Sequence, residues 1–169
     1  MTEKVFQETV FCYRDNMYRF AKNLLDTDAG AQDIVQSVML SLWQQKDRLA
    51  LMSNIKAYVM QAVKNECLNK MRSQAISQKH LAMAVAQQPV TEQPSRGNMT
   101  LIIGHFIRTL PQKQKMVMLL KDIEEFETHE IATLLDMDEN AVRTNLTRAR
   151  QKVRDYLQKI ETYEQQQIQ

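Results

Sequence analysis

The chain has 169 residues, of which 44% are hydrophobic, with only 3 glycines and 3 prolines and a formal net charge of +2. A chain of this length can bury one ordinary core or two small ones, and so few glycines and prolines exclude a β-rich fold with many tight turns. The small net charge excludes nucleic-acid binding through the whole surface, so any such binding must come from local basic patches.

The N-terminus and the two cysteines indicate where the protein is found. Residues 1–11, MTEKVFQETVF, carry acids where a secretory signal needs a basic end and an apolar block, and no apolar run is long enough to span a membrane. Cys12 and Cys67 have no CxxC partner and lie on apolar helical faces, so we expect both to be small buried residues in a reducing compartment. The sequence therefore predicts a cytoplasmic protein with no membrane insertion of its own.

Three amphipathic segments make up the first part of the chain, and a break at residues 26–30 follows the first of them. They extend from Thr2 to Leu25, from Ala31 to Gln45 and from Asn54 to Arg72. The residues expected inside are Phe6, Val10, Tyr13, Met17, Phe20 and Leu24, then Ala31, Ile34, Val35, Val38, Met39, Leu42 and Trp43, and then Ile55, Tyr58, Val59, Ala62, Val63, Cys67 and Met71. These faces predict a small domain of three to four helices at residues 1–75.

The outward faces of the second and third helices differ in chemistry. The third helix carries, at steps of four, four and three, Gln61, Asn65, Asn69 and Arg72. Amides can pair with base edges and arginine with phosphate or guanine, although polar residues on an outer helix face are also ordinary. The second helix presents a nearly neutral face with Asp33 as its one charge, which fits either packing against another protein or plain solvent surface.

Residues 73–98 lose helical periodicity toward their end and contain the turn-forming runs QQP, QPS and RGN, although their first half could extend the third helix. We assign a flexible linker to residues 76–99, a second helical domain to 100–162 and a frayed polar tail to 163–169. In the second domain we expect Pro111 in the first turn of a helix. The residues expected inside just before it are Leu101, Ile102, Phe106 and Leu110.

The second domain contains a predicted helix-turn-helix. A short helix buries Ile131, Ala132, Leu134 and Leu135, and residues 136–138 have the length of the turn. Asp138 can cap the next helix by accepting amide hydrogens two or three residues on. That helix buries, at helical spacing, Val142, Leu146, Ala149, Val153 and Leu157, and it turns outward Asn140, Arg143, Thr144, Thr147, Arg148 and Gln151.

The charge of the last helix favours a nucleic-acid target. Between Glu139 and Arg154 there are five basic residues and a single acid, a composition suited to lying among phosphates and reaching base edges. A solvated amphipathic helix at the end of a helical domain would show the same basic face. Because a short helix and a capped turn precede it, we favour duplex DNA as the target.

Four segments in fixed order resemble a known family. They are FCYRDNMYRFAKNLL, DAGAQDIVQSVMLSLWQQ, NIKAYVMQAVKNECLNKMRS and, after the linker, the stretch from Leu110 to Leu157. In this order they resemble bacterial RNA polymerase sigma factors of the sigma-70 superfamily, extracytoplasmic function (ECF) type. The resemblance implies an all-α fold of two domains, sigma region 2 and a four-helix sigma region 4 with the helix-turn-helix, and it implies promoter-specific transcription initiation.

The resemblance also implies site residues. The match to the family's surface for core polymerase comprises Ala31, Asp33, Ile34 and Gln36. The residues implied at the promoter minus-10 element are Gln61, Asn65, Asn69 and Arg72, with residues 48–54 matching the loop that holds a flipped base. The residues implied at the minus-35 element are Lys121, Asn140, Arg143, Thr144, Thr147 and Arg148. Besides core polymerase and promoter DNA, the resemblance implies an anti-sigma factor as a partner.

The chain departs from the family pattern before and within the helix-turn-helix. Glu125 stands where a turn glycine is frequent. Glu127 stands where a serine often opens the first helix, so we expect the cap to shift to Thr128. In the recognition helix, Asn140 and Ala141 replace the usual Gly-Thr, and Asn145 replaces a common arginine.

Catalysis is not expected, nor is a cofactor or metal. The three histidines lie in separate segments without paired carboxylates at ligand spacing, and the chain has no Gly-rich phosphate loop. One alternative to a sigma factor is a helix-turn-helix regulator that binds duplex DNA without polymerase, with the first domain used for dimerisation or ligand sensing. Another is a helical adaptor with no nucleic-acid role.

Overall fold

The computed structural model describes residues 1–25, 27–82 and 99–166, and all regular secondary structure in these ranges is helical. The chain divides into two compact units, Met1–Gln93 and Pro94–Gln169. The prediction of an all-α protein with two helical domains is thereby confirmed. Across the same described ranges, no helix is both long and apolar enough to cross a membrane.

The N-terminal unit consists of five α-helices within its described residues. They are α1 (Glu3–Thr9), α2 (Arg14–Leu25), α3 (Asp28–Gln44), α4 (Lys46–Leu49) and α5 (Ile55–Ala82). α2, α3 and α5 pack against one another, and their interior contains Met17, Phe20, Leu42, Val59, Met60 and Val63. Phe6 of α1 meets Trp43 edge-on with 5.0 Å between ring centroids, which joins α1 to this core.

The first predicted helix is in fact two helices. Val10 has a φ of −119°, far from the α-helical value, and a 3₁₀ turn at Phe11–Tyr13 follows it. The interruption keeps Val10 buried, while Phe11 and Cys12 are exposed. The prediction of one continuous helix from Thr2 to Leu25, and of a buried Cys12, was therefore wrong. Burial of Cys67 is confirmed.

α5 is longer than the pattern alone required. The Asn54 side chain accepts a hydrogen bond from the Ala57 amide at 3.0 Å and caps its start. The helix then continues to Ala82, so the first residues after Ser73 do extend it. Of the linker assigned to residues 76–99, residues 83–98 lie outside the described part, as do residues 167–169 of the predicted tail.

The C-terminal unit has four α-helices within its described residues. They are α6 (Met99–Thr109), α7 (Gln112–Met118), α8 (Thr128–Leu135) and α9 (Glu139–Gln166), with a π-helical turn at Leu119–Ile123 after α7. α6, α7 and α8 each pack on α9, and the interior contains Val117, Leu119, Leu120, Phe126, Ile131, Val142 and Ala149. Phe106 of α6 stacks on Tyr156 of α9 at 4.1 Å between centroids.

Two expectations for the start of this unit were wrong. Leu101 is 55% exposed, whereas the pattern placed it inside. Its helix is only eleven residues long and contacts mainly α9, so its first turn lies beyond the core. Pro111 is the residue that precedes α7, with an extended ψ of 140°, and does not lie within its first turn.

Candidate nucleic-acid and protein interfaces

The helix-turn-helix forms as the sequence predicted. Asp136, the residue that caps the end of α8, is left-handed with a φ of 52°, and the Met137 amide donates to the Ala132 carbonyl at 2.9 Å. Asp138 then accepts a hydrogen bond from the Ala141 amide at 2.8 Å, which confirms its role as the cap of α9. The turn is closed at both ends, so the start of α9 is fixed relative to α8.

The entrance to α8 differs from the expectation. Glu127 is the N-cap residue, and its amide donates to the Glu130 carboxylate at 2.9 Å, so the shift of the cap to Thr128 was wrong. A glutamate at N3 that reaches back in this way satisfies an amide that the helix leaves free. Glu125 has a φ of 58°, a left-handed conformation that glycine adopts more readily than glutamate.

The outward face of α9 is exposed along its first four turns. Asn140, Arg143, Thr144, Thr147, Arg148 and Gln151 all lie on the surface, whereas Val142 and Ala149 are buried. The side chains that can donate to base edges and phosphates therefore share one accessible surface, which we call the α9 face.

The arginines of α9 differ in their hydrogen-bond and ion-pair partners. Arg143 donates to the Glu139 carboxylate at 2.5 Å and to the Asn140 side-chain oxygen at 3.2 Å. Arg148 makes no hydrogen bond or ion pair to the residues that the structure describes. Arg150 donates through Nη2 and Nε to the two oxygens of Asp122, at 2.5 and 3.1 Å, and these bonds raise its pKa.

The Arg150 pair defines a structural contact that the sequence did not reveal. Asp122 belongs to the π-helical turn and lies 28 residues from Arg150. A guanidinium that holds both oxygens of one carboxylate fixes orientation as well as distance. Arg150 thus ties α9 to the segment before α8 and is not available to DNA in the same way as Arg148.

Lys121 lies in the same π-helical turn. Its Nζ is 3.3 Å from the Glu127 carboxylate, and its side chain is half-buried. A phosphate that approaches Lys121 must therefore compete with the Glu127 carboxylate for the ammonium group.

In the N-terminal unit, α5 presents the predicted polar row on its surface. Asn65, Asn69 and Arg72 are exposed, and Gln61 is half-buried. On the same helix Lys70 donates to the Asp33 carboxylate of α3 at 3.3 Å. This ion pair connects α5 with α3, the helix that carries the predicted polymerase surface.

The α3 residues assigned to polymerase binding fall into two groups. Asp33 and Gln36 are exposed, as a contact surface requires. Ala31 and Ile34 are 0% and 3% exposed, because the helix turns them toward α2 and α5. We correct their assignment: they belong to the core that supports the surface and do not present atoms to a partner.

A groove that sequence reasoning missed adjoins Gln36. It has a volume of about 610 Å³ and is lined by Phe11, Arg14, Asp15, Tyr18, Gln32, Val35, Gln36 and Met39. Phe11 is 47% exposed there, with the Arg14 guanidinium 5.5 Å from its ring centre. The exposure of Phe11 follows from the 3₁₀ turn, and the periodicity of the sequence gave no signal of that turn.

The loop between α4 and α5 contains the most exposed large hydrophobic side chain among the residues whose burial the structure describes. Leu51 is 88% exposed. Arg48, predicted as part of the loop, belongs to α4, so the loop proper is residues 50–54. Elsewhere, no cluster of three or more His, Cys, Asp or Glu residues suited to a metal ion occurs among the described residues.

Comparison with known proteins identifies the family. Residues 10–76 match the model of sigma-70 region 2, and residues 100–153 match the model of sigma-70 region 4. The chain belongs to the sigma-70 family. These two regions, together with the similarity to sigma-E factors, confirm the ECF type predicted from the sequence. The alternative of a regulator that acts without polymerase is not favoured, because region 2 occupies the place of its dimerisation or sensing domain.

Three similar proteins match this sigma factor over most of their own length. The RNA polymerase sigma-E factor of Streptomyces avermitilis is 24% identical over 156 residues, which cover 90% of this chain and 85% of that protein. The sigma factor RpoE of Bartonella quintana, solved with the anti-sigma factor NepR, has a TM-score of 0.78 at 19% identity and covers 92% of this chain and 98% of its own. CnrH, solved with the cytosolic domain of CnrY, has a TM-score of 0.68 at 17% identity, with 93% and 90% covered.

Proposed function

We propose that this sigma factor binds core RNA polymerase through the exposed side of α3 and directs it to promoters with two DNA-reading surfaces. The α5 row reads the minus-10 element and the α9 face reads the minus-35 element. The observation that carries the proposal is the presence of both polar rows, one on each unit of a single chain. A protein that only bound one duplex site would need the second row alone.

The polymerase surface is formed by Asp33 and Gln36 together with the adjoining groove. The two polar side chains supply directional bonds, and Phe11 and Met39 supply apolar area that a partner helix can cover. The Asp33–Lys70 ion pair is exposed and therefore weak. Asp33 can exchange Lys70 for a partner's cation at little cost.

The minus-10 surface combines amides with an apolar loop. Asn65 and Asn69 can hydrogen-bond base edges, and Arg72 can bind phosphate. Leu51 stands free in the neighbouring loop, where an apolar side chain can contact the face of an unstacked base. Capture of such a base offsets the few kcal/mol that unstacking costs, so strand opening needs no ATP.

The minus-35 surface uses the α9 face. Arg143 and Arg148 can bind guanine, Asn140 can bind adenine, and Thr144 and Thr147 can bond either base. Lys121 can contact a phosphate and set the position of α9 on the duplex. Gln61 of α5 and Lys121 are the two residues of the assignment that the fold half-buries, so we give both supporting roles.

The protein acts in the cytoplasm beside the polymerase and carries out no catalysis of its own. An anti-sigma factor is a further partner in this proposal, since the structurally similar sigma factor RpoE is bound to the anti-sigma factor NepR, and CnrH is bound to the cytosolic domain of CnrY. Such a partner would compete with polymerase for the exposed side of α3.

In vitro transcription tests the proposal. Purified chain and core polymerase are incubated with a fragmented genomic library, and the 5′ ends of the transcripts are sequenced. We expect starts that share two upstream motifs and that core polymerase alone does not produce. Transcripts with the same random starts in both reactions would refute the function.

A further inference from the structure

Glu139 is the single acid on the DNA-facing part of α9. It lies in the first turn of the helix, and its carboxylate is 2.5 Å from the Arg143 guanidinium. Arg143 also donates to the Asn140 side chain at 3.2 Å. The side chains of Arg143 and Glu139 are 58% and 44% exposed, so the whole cluster lies on the surface that faces DNA in the proposed function.

We infer that Glu139 is a specificity-determining residue that acts by positioning Arg143. It fixes the direction of the guanidinium and cancels its charge toward phosphates. This inference rests on the proposed function of α9 and adds a residue that neither the sequence pattern nor the family assignment included.

The geometry leaves Arg143 able to read a base while Glu139 holds it. A guanidinium has five N–H groups in a rigid fork, and Glu139 and Asn140 take one each. The three that remain include one on each terminal nitrogen, enough for the bidentate contact with guanine O6 and N7. A braced arginine meets that base in one orientation and loses less conformational freedom than a free one.

Charge cancellation affects non-specific binding in particular. A free arginine on this surface would neutralise a phosphate at any sequence and release a counterion. With Glu139 beside it, Arg143 contributes little net charge and therefore little sequence-independent affinity. Arg148, which has no partner among the described residues, supplies the contrasting case of an unbraced cation on the same face.

The test compares three variants of the full chain, each assembled with core polymerase. Glu139→Gln removes the charge and keeps the shape, Arg143→Ala removes the braced side chain, and Glu161→Gln is the matched control. Glu161 is an exposed acid of the same helix outside the α9 face, so its substitution changes net charge equally. The probes are a pool of duplexes with a randomised block upstream of a fixed start region, and calf-thymus DNA as non-specific duplex.

We expect Glu139→Gln to flatten base preference at the position where Arg143→Ala also flattens it. We also expect Glu139→Gln to raise the affinity for calf-thymus DNA about threefold. The slope of log affinity against log salt concentration should steepen by about one released counterion. Glu161→Gln should change neither quantity. The inference is overturned if Glu139→Gln keeps the base preference of the wild type, or if it changes the preference at a base position that Arg143→Ala leaves unaffected. An equal effect of Glu161→Gln would overturn it too. If the wild-type holoenzyme selects no sequence, the proposed function fails as well, and the two failures are thereby distinguished.

Discussion

Asp33 is an exposed carboxylate that forms an ion pair within the N-terminal unit and also lies on the proposed polymerase surface. It bonds to Lys70 at 3.3 Å, yet 72% of its side chain is exposed. Exposed pairs of this kind contribute at most about 1 kcal/mol. Removing Asp33 should therefore change binding far more than folding.

We predict that Asp33→Ala combined with Gln36→Ala weakens the affinity for core polymerase by about tenfold, or ~1.4 kcal/mol. Titration of labelled chain with core polymerase measures this, and urea unfolding should show a stability loss below about 1 kcal/mol. Gln44→Ala, an exposed change on the same helix, is the control and should leave affinity unaltered. Equal affinity of the double variant and the wild type would contradict the polymerase role of this face.

The two cysteines allow a second test at single residues. Burial raises the pKa of the Cys67 thiol to about 12, and only the thiolate reacts as a nucleophile. At pH 8 Cys67 therefore stays protonated in the folded chain, while Cys12 is exposed.

We predict that a thiol-reactive chromophore titrates one cysteine per folded chain at pH 8 and two after unfolding. Cys12→Ser should leave none that react before unfolding. Rapid reaction of both thiols in the native protein would show that the core around Cys67 opens readily.

Periodicity predicted much at this scale, for a physical reason. Val142 and Ala149 are inside and Arg148 is outside because a regular helix has one apolar face. The Asp138 cap was readable because it needs only local spacing. The Asp33–Lys70 and Asp122–Arg150 pairs join residues 37 and 28 positions apart, and no local rule locates such partners.

At the scale of elements, the π-helical turn Leu119–Ile123 is the main departure from the sequence reading. The Glu124 amide donates to the Leu119 carbonyl, five residues back, at 3.0 Å. Such a turn adds one residue to a helical turn, and it changes the backbone without requiring a different type of side chain. Hydrophobic spacing across MVMLL could not separate it from an ordinary helix, because all five residues are buried.

The turn places Asp122 where it meets Arg150, and this contact can be measured. We predict that Asp122→Asn lowers the free energy of unfolding by about 1 kcal/mol, a value kept small because Arg150 is 51% exposed. A double-mutant cycle with Arg150→Met, followed by urea unfolding, isolates the pair. Strictly additive losses would mean that the two side chains do not stabilise each other.

The helix break at Val10 is the other element that sequence reasoning missed. The apolar residues Phe6, Val10, Met17 and Phe20 recur at helical spacing on both sides of it and are all buried. The pattern thus remained continuous although the backbone did not. As a result, Phe11 and the groove beside it could not be found from the chain alone.

At the scale of the whole molecule, the division into two helical units was predictable. Strong apolar periodicity ends near residue 72 and resumes near residue 101, with proline and glycine between them. Each unit encloses its own core, around Phe20 in the first and Phe126 in the second. Separate cores allow separate surfaces to be changed one at a time.

We predict that Asn65→Ala and Arg148→Ala act independently on transcription. Each removes one contact with DNA, and we expect each to lower runoff output by about tenfold, so the double variant should lose about a hundredfold. Gln158→Ala, an exposed change on α9 outside its DNA face, serves as the control. A double variant no weaker than either single one would mean that both residues support one shared step.

Leu51 can take part in recognition without also stabilising the fold, two tasks that one side chain often has to combine. With 88% of it in solvent, this side chain gives almost no hydrophobic stabilisation, so replacing it should hardly disturb the fold. If the loop contributes to the choice of start site, mutation can sample new choices there without first passing through unstable intermediates. The tip of the α4–α5 loop is thus a position where related proteins can diverge in the genes they switch on while keeping the same scaffold.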